Sequence, residues 1–253
     1  MHLILTGATG LVGSGVLDAM IKMKDVTKIS ILSRRPVPMV EDAKDPRINV
    51  IIHKDFTKYD KQLIDQLQGA RGCVWALGIS QTQVTKEEYV KITKDYALAA
   101  SEAFSGLAHE NEPFNFVYVS GRGATQEPGR FSAIYSRVKG ETEVALAELR
   151  KKYPSLHNSS VRPAAVDGSA HEAIQPYLPT APLAYRMLAP LLLKPIQVGV
   201  PSFHSPTQPL GRFLTEMAMG KHAVGPAQDI SMIGEMPILE NPAFRRLAGL
   251  DAK

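Results

Sequence analysis

Cysteine is all but missing from this chain: its 253 residues include one, Cys73, set inside an apolar run. No disulfide framework can form within the chain, so a reducing, cytoplasmic setting is expected, with Cys73 as a small buried hydrophobe. Long hydrophobic runs are also lacking. The longest, 181–193, is interrupted by Tyr185, Arg186 and two prolines and is too short to cross a bilayer. No integral membrane segment is therefore expected; the segment suits the wall of a pocket better than a membrane-surface helix. No cleavable leader is expected, because the first strand starts at His2. Nor is there an excess of one charge. The net charge is +4, and the densest basic run, Arg150-Lys151-Lys152, falls where a helix should end and meets the helix dipole. Nucleic-acid binding is not expected. No internal repeat or low-complexity stretch occurs, and no metal site is expected.

What the chain does have is an ordinary globular composition, 44% hydrophobic and 21% charged. A chain of this length buries roughly three-quarters of its unfolded surface, enough for a sizeable core. Apolar runs alternate with helical patterns, the sequence form of repeated βαβ units. Strands are expected at 2–6, 27–33, 48–53, 72–77 and 114–120, with a sixth ending at 159–161. Helices are expected from about 11 to 23, around Leu63, Ile64 and Leu67, from 85 to about 107, and from 132 to 152. The strands are nearly continuous in apolar residues, as a parallel sheet covered on both faces requires. The expected fold is thus α/β, a Rossmann-type doubly wound parallel sheet forming a single domain over 1–253. Nine prolines between Pro163 and Pro209 make long regular elements unexpected there. Residues 164–253 are read as a small irregular C-terminal portion on the substrate side, with a helix at about 207–219 and an amphipathic segment near 242–250.

The strongest motif is Thr6-Gly7-Ala8-Thr9-Gly10-Leu11-Val12-Gly13, directly after the first strand and opening the first helix. Gly7 permits a tight turn, Gly10 lets the backbone approach a diphosphate, and Gly13 allows close helix–strand packing. Amides at the helix N-terminus then face the anion, with Thr9, Leu11 and Val12 beside it. NAD-selective sites place an acid about twenty residues further on. Here Ser33-Arg34-Arg35 occupies that place, and no carboxylate occurs between Val26 and Val40. Paired guanidiniums suit a 2′-phosphate, so NADP(H) is expected over NAD(H). Asp55-Phe56, after the third strand, and Leu77-Gly78, after the fourth, are expected to flank the cofactor.

Tyr135 and Lys139 lie four apart and share one helical face; no other of the eight tyrosines has Lys at that spacing. Free tyrosine titrates near ~10, and a nearby ammonium lowers that value. Ser120 ends the fifth strand at the carboxyl edge of the sheet, where doubly wound folds bind ligands.

Together, the glycine turn, the strand-end serine and the Tyr-x-x-x-Lys pair resemble the short-chain dehydrogenase/reductase superfamily over residues 2–168. More narrowly, Leu77-Gly78, Lys94-Asp95-Tyr96, Val119-Ser120 through Gly123-Ala124, and Tyr135-x-x-Val138-Lys139-Gly140-Glu141-x-Glu143 are similar to the atypical, Tat-interacting-protein-like oxidoreductases. The resemblance implies Tyr135 as acid/base, Ser120 polarising the substrate oxygen, and Lys139 holding the nicotinamide ribose and tuning Tyr135. It places Pro163, Ala164 and Val166 against the nicotinamide. One departure is Thr93, where many members carry an asparagine that supports a proton relay; threonine lacks the amide geometry.

Three functions follow as expectations. The first is hydride transfer between NADP(H) and a small carbonyl or alcohol substrate, with Tyr177, Tyr185, Met187 and Phe203 lining a lid over 170–206. The second is an NADP(H)-sensing regulator or scaffold without turnover. The third is a nucleotide-sugar epimerase, disfavoured by the roughly ninety residues left after Pro163 for a substrate lobe. A homodimer through the alanine-rich helix from Thr85 is compatible with the sequence, as is packing of that helix on the sheet.

Overall fold

The computed structural model describes residues 1–108, 112–178 and 199–251. Six parallel strands form the body of the sheet: β1 (His2–Thr6), β2 (Lys28–Ser33), β3 (Ile48–Ile52), β4 (Ala70–Trp75), β5 (Phe114–Val119) and β6 (Leu156–Arg162). Their order is β3-β2-β1-β4-β5-β6, continued by β10 (Met236–Glu240) and β9 (Ile230–Ile233). Leu3, Ile4 and Leu5 of β1 are wholly buried, because helices cover both faces of the sheet. Strand order reverses between β1 and β4, so the chain leaves their carboxyl ends in opposite directions and opens a crevice there.

Helix α1 (Leu11–Lys22) follows β1; α2 (Pro38–Ala43) and α3 (Lys61–Gln66) are short. The expected continuous helix over 85–107 is instead three pieces: α4 (Lys86–Val90), a π-helical turn at Lys91–Asp95 and α5 (Tyr96–Ser105). A capping box between Thr85 and Glu88 starts it. Thr93 is buried in the π-turn, and its carbonyl oxygen accepts a hydrogen bond from Tyr118 at 3.4 Å. Ser101 of α5 donates to Asn158 of β6 at 3.1 Å, so this alanine-rich helix packs its buried face on the sheet.

Among the described residues between Pro163 and Pro206 the elements are short, as the prolines imply. A short parallel pair, β7 (Ala165–Asp167) and β8 (His204–Pro206), precedes α7 (Thr207–Ala218). Then β9 and β10 form a hairpin closed by two residues, Gly234 at φ +57° and Glu235, and β10 adds itself parallel to β6. Helix α8 (Asn241–Leu247) ends the described chain. Helices α7 and α1 cross at glycine: a Cβ on Gly211 would overlap the Gly15 carbonyl. The C-terminal portion therefore shares the core of the sheet; Phe213, Leu214 and Phe244 pack with Leu3, Leu17 and Val74.

Candidate cofactor and active site

At the carboxyl edge, a cleft of about 900 Å³ runs along the ends of β2, β1, β4 and β5. Its floor is the glycine turn. Gly7 has φ +71°, and a Cβ on Gly13 would overlap the Gly7 carbonyl, so β1 and α1 can close this tightly only with both glycines. Gly10 caps α1 without any side-chain hydrogen bond, which leaves the first-turn amides to the cleft. Gly7, Thr9, Gly10, Leu11 and Val12 line the cleft, while Gly13 sits behind the turn. An anion-accepting backbone cradle is the result.

Ser33, Arg34 and Arg35 close one side. The Ser33 hydroxyl donates to the Arg35 carbonyl at 2.7 Å and so shapes the strand exit. Both arginines are exposed, and Arg35 reaches back to Thr9 Oγ1 at 3.3 Å. Phe56 lines the cleft, held at its back by Trp75 and His53. Asp55 does not line it. Its carboxylate accepts from the amide and hydroxyl of Thr57, and these bonds hold its pKa below the ordinary carboxylate value. Leu77 and Gly78 are part of the wall.

Ser120 and Lys139 stand at the other end of the cleft. The Ser120 hydroxyl is buried with no hydrogen-bond partner among the described residues, a donor awaiting an acceptor. Lys139 donates to the Val119 carbonyl at 2.9 Å, and burial pushes its pKa down to about 8 against the pull of Glu143. Tyr135 is placed differently from the expectation. It does not line the cleft; its hydroxyl rests over Gly121 and donates to the Arg122 carbonyl at 2.8 Å. Burial pushes its pKa up to about 12, with Tyr89 and Glu143 adding to the shift, so the phenol is protonated at neutral pH. The expected lowering by Lys139 is not seen: burial dominates, and of the neighbouring charges Arg162 is the one that lowers the value.

Pro163, Ala164 and Val166 do not reach the cleft either. The Pro163 carbonyl accepts from the Arg122 amide, the Ala164 amide donates to Ser205 Oγ, and Val166 pairs with Ser205 in the β7–β8 ladder. Of the expected lid residues, Tyr177 donates to Asp42 at 2.8 Å and Phe203 stacks on Arg122. Tyr185, Met187 and the 181–193 segment lie outside the described residues.

The sequence reading missed most of the loop after β4. Ala76, Ile79, Ser80 and Gln83 line the cleft together with Leu77 and Gly78. Within that loop, Gln81 Oε1 accepts the Tyr135 amide at 3.0 Å and caps α6 (Ile134–Lys152), whose own N-cap, Ala133, has no side chain able to do so. A polar loop following a strand exit was the available signal; its partner is 54 residues away.

Sheet order, glycine turn and cleft together define a Rossmann-type protein with an NAD(P)-binding fold. Comparisons agree with that class. A short-chain dehydrogenase/reductase family oxidoreductase from Burkholderia thailandensis superimposes with TM-score 0.67 over 98% of this chain and 96% of its own, at 15% identity, a likeness of fold. Leucinostatins biosynthesis cluster protein T of Purpureocillium lilacinum is 33% identical over 254 residues, covering 94% of this chain and 90% of that protein. Protein FMP52, mitochondrial, of Lodderomyces elongisporus is 28% identical over 159 residues, 60% of this chain and 62% of that protein. No family model matches the chain. The chain belongs to one family with leucinostatins biosynthesis cluster protein T, and its fold is that of the short-chain dehydrogenase/reductase oxidoreductases. No helix of the described residues is long and apolar enough to cross a membrane.

Proposed function

We propose that this chain is an NADP(H)-dependent oxidoreductase that reduces a small carbonyl substrate or oxidises the corresponding alcohol. The observation that carries the reading is one continuous cleft, with Arg34 and Arg35 at its β2 side, the anion-accepting turn in the middle, and Ser120 with Lys139 at its β5 side. The residues fit a dinucleotide: the turn excludes any Cβ at Gly7 and Gly13, and Ser120 offers an unspent hydroxyl. When bound, the nicotinamide would supply or accept hydride. Arg34 and Arg35 would grip a 2′-phosphate, which a carboxylate in their place would repel.

Ser120 donates to the substrate oxygen and holds it at the strand end. Tyr135, a neutral phenol with its proton in place, serves as the acid when a carbonyl is reduced. Lys139, one helical turn away, holds the ribose end of the cofactor and steadies a phenolate once the proton has left. For this, Tyr135 must exchange the Arg122 carbonyl for the substrate oxygen. The relative from a leucinostatin biosynthesis cluster supports a role in making a small molecule.

The Tyr135–Arg122 contact is also what favours a second reading, an NADP(H)-sensing regulator in which the phenol never leaves its carbonyl. Titration with NADPH and NADH tests cofactor choice, and tighter NADH binding would defeat the arginine assignment. A carbonyl panel followed by NADPH consumption then tests turnover. Tyr135→Phe is expected to cut kcat by about 10²- to 10⁴-fold; unchanged turnover would remove the tyrosine from the reaction, and no turnover with any carbonyl would leave sensing. Imaging a tagged chain distinguishes the expected cytoplasm from the mitochondrion in the name of the FMP52 relative.

A further inference from the structure

The arginines of this protein fall into two groups. From Arg47 to Arg246, most of those described lie within ion-pair distance of a carboxylate. Among the described residues, Arg34, Arg35, Arg122, Arg130 and Arg137 have no carboxylate partner. These five are not scattered. Arg34 and Arg35 follow β2, where the proposed function already employs them. Arg122 and Arg130 lie on the segment leaving β5, and Arg137 is in the first turn of α6; of the three, Arg122 touches Tyr135. The sequence from 179 to 198 contains no aspartate or glutamate that could neutralise them.

Arg122 differs from an ordinary solvated arginine in being held. Its amide donates to the Pro163 carbonyl at 2.8 Å, and its own carbonyl takes the Tyr135 hydroxyl. The guanidinium lies 3.5 Å from the centroid of the Phe203 ring, and a single long bond of 3.5 Å runs from Nη1 to the Ser202 carbonyl. Stacking on Phe203 occupies the face of the guanidinium and leaves most of the N–H groups on its edge unused. A planar edge of parallel donors is what a carboxylate binds bidentately. Much of the side-chain ordering that such a contact requires is already in place. Phe203 itself is 41% exposed, so an apolar surface adjoins the charge.

We infer that Arg122 is the specificity residue of the substrate subsite, and that the substrate is an oxo-acid or hydroxy-acid whose carboxylate sits on its guanidinium. Resting on the hydride-transfer reading, this names the substrate class. The carboxylate lies within one arginine side chain of the phenol that handles the proton, so the reacting carbonyl and the carboxylate belong to the same small molecule. The hydrocarbon between them lies along Phe203.

The test uses oxo-acids of increasing chain length, each paired with its methyl ester. Binding to the NADPH-saturated protein is measured by calorimetry, and turnover by NADPH consumption. At least one acid is expected to bind about 10- to 100-fold more tightly than its ester, the worth of a charge-assisted hydrogen bond. Arg122→Gln is expected to collapse that ratio to about one and Arg122→Lys to recover part of it, with NADPH affinity and melting temperature measured on each variant as checks of folding. The inference is overturned if no acid of the panel outbinds its ester, or if Arg122→Gln preserves the preference. Because binding is read independently of turnover, an acid preference without NADPH consumption would sink the hydride-transfer reading and leave the carboxylate subsite standing. Turnover of the esters at the rate of the acids would do the reverse.

Discussion

Glu143 of α6 and Arg162 at the end of β6 form a buried bidentate ion pair: Arg162 Nε meets Glu143 Oε1 at 2.9 Å, and Nη2 meets Oε2. Ser160 also donates to Glu143 at 2.9 Å, while Arg162 Nη1 extends the network to Glu240 of β10 at 2.6 Å. The helix carrying Tyr135 and Lys139 is thereby clamped to two neighbouring strands. Removing Glu143 strips the bonds from Arg162 Nε and Nη2 and leaves the guanidinium with Glu240 alone, while removing Arg162 leaves the buried Glu143 carboxylate with Ser160 alone. Glu143→Ala should cost about 3–5 kcal/mol in urea unfolding. Replacing both, as Glu143→Leu with Arg162→Met, should cost less than Glu143→Ala alone; a larger loss in the double variant would show that the pair itself drives stability.

Lys139 predicts a pH dependence. Its pKa falls from the ordinary 10.5 to about 8 in the folded protein because burial opposes its charge. Below pH 8 both folded and unfolded chains hold the proton, and the burial penalty is felt in full. Between 8 and 10.5 the unfolded chain holds the proton that the folded one has released, so stability attributable to Lys139 rises with pH. The melting temperature of the natural chain minus that of Lys139→Met should therefore be more positive at about pH 9.5 than at about pH 7. A flat or falling difference would contradict the depressed pKa.

Two glycines of one turn should differ in how stability responds to the same added methyl. A Cβ on Gly10 meets only the Gly7 carbonyl oxygen, at 3.4 Å, and stands in the cleft. Gly10→Ala should unfold within about 1 kcal/mol of the natural chain yet bind NADPH at least about ten-fold more weakly. A Cβ on Gly13 would overlap the Gly7 backbone, so Gly13→Ala should lose about 1–3 kcal/mol of stability as well. Equal stability for the two variants, seen in denaturant midpoints, would show that the turn is looser than described.

Gln81 should act at a distance on the helix that carries Tyr135 and Lys139. Its loss as a cap should cost about 1 kcal/mol and raise hydrogen exchange at the Tyr135 amide. Gln81→Glu, which keeps an acceptor and adds favourable charge at the helix N-terminus, should restore protection where Gln81→Ala does not. Unchanged exchange in Gln81→Ala would mean that the amide is satisfied by water.

The Rossmann sheet was legible because parallel strands buried on both faces must be apolar along their length, and β1 to β5 are mostly so; β6, Leu-His-Asn-Ser-Ser-Val-Arg, is largely polar and was read only at its end. The glycine turn was legible because its constraints are local: a strand, a tight turn and a helix within a dozen residues. The β9–β10 hairpin carried a local signal as well, Gly234 at a two-residue turn, but β10's place beside β6 carried none. Helix 85–107 was read as continuous because a π-turn adds one residue to a turn without changing which residue types fit.

By itself, then, the amino-acid order determined the sheet, the place of its crevice and the residue types along the edge of that crevice. Only the folded chain decided where the polar groups of backbone and side chain spend their hydrogen bonds. Pro163 and Ala164 are spent on Arg122 and Ser205, Tyr135 on Arg122, Lys139 on Val119, and Arg162 on Glu143 and Glu240. The reason is physical. Backbone periodicity is set by near neighbours, whereas a buried polar atom pairs with whatever the packing of distant segments brings within about 3 Å.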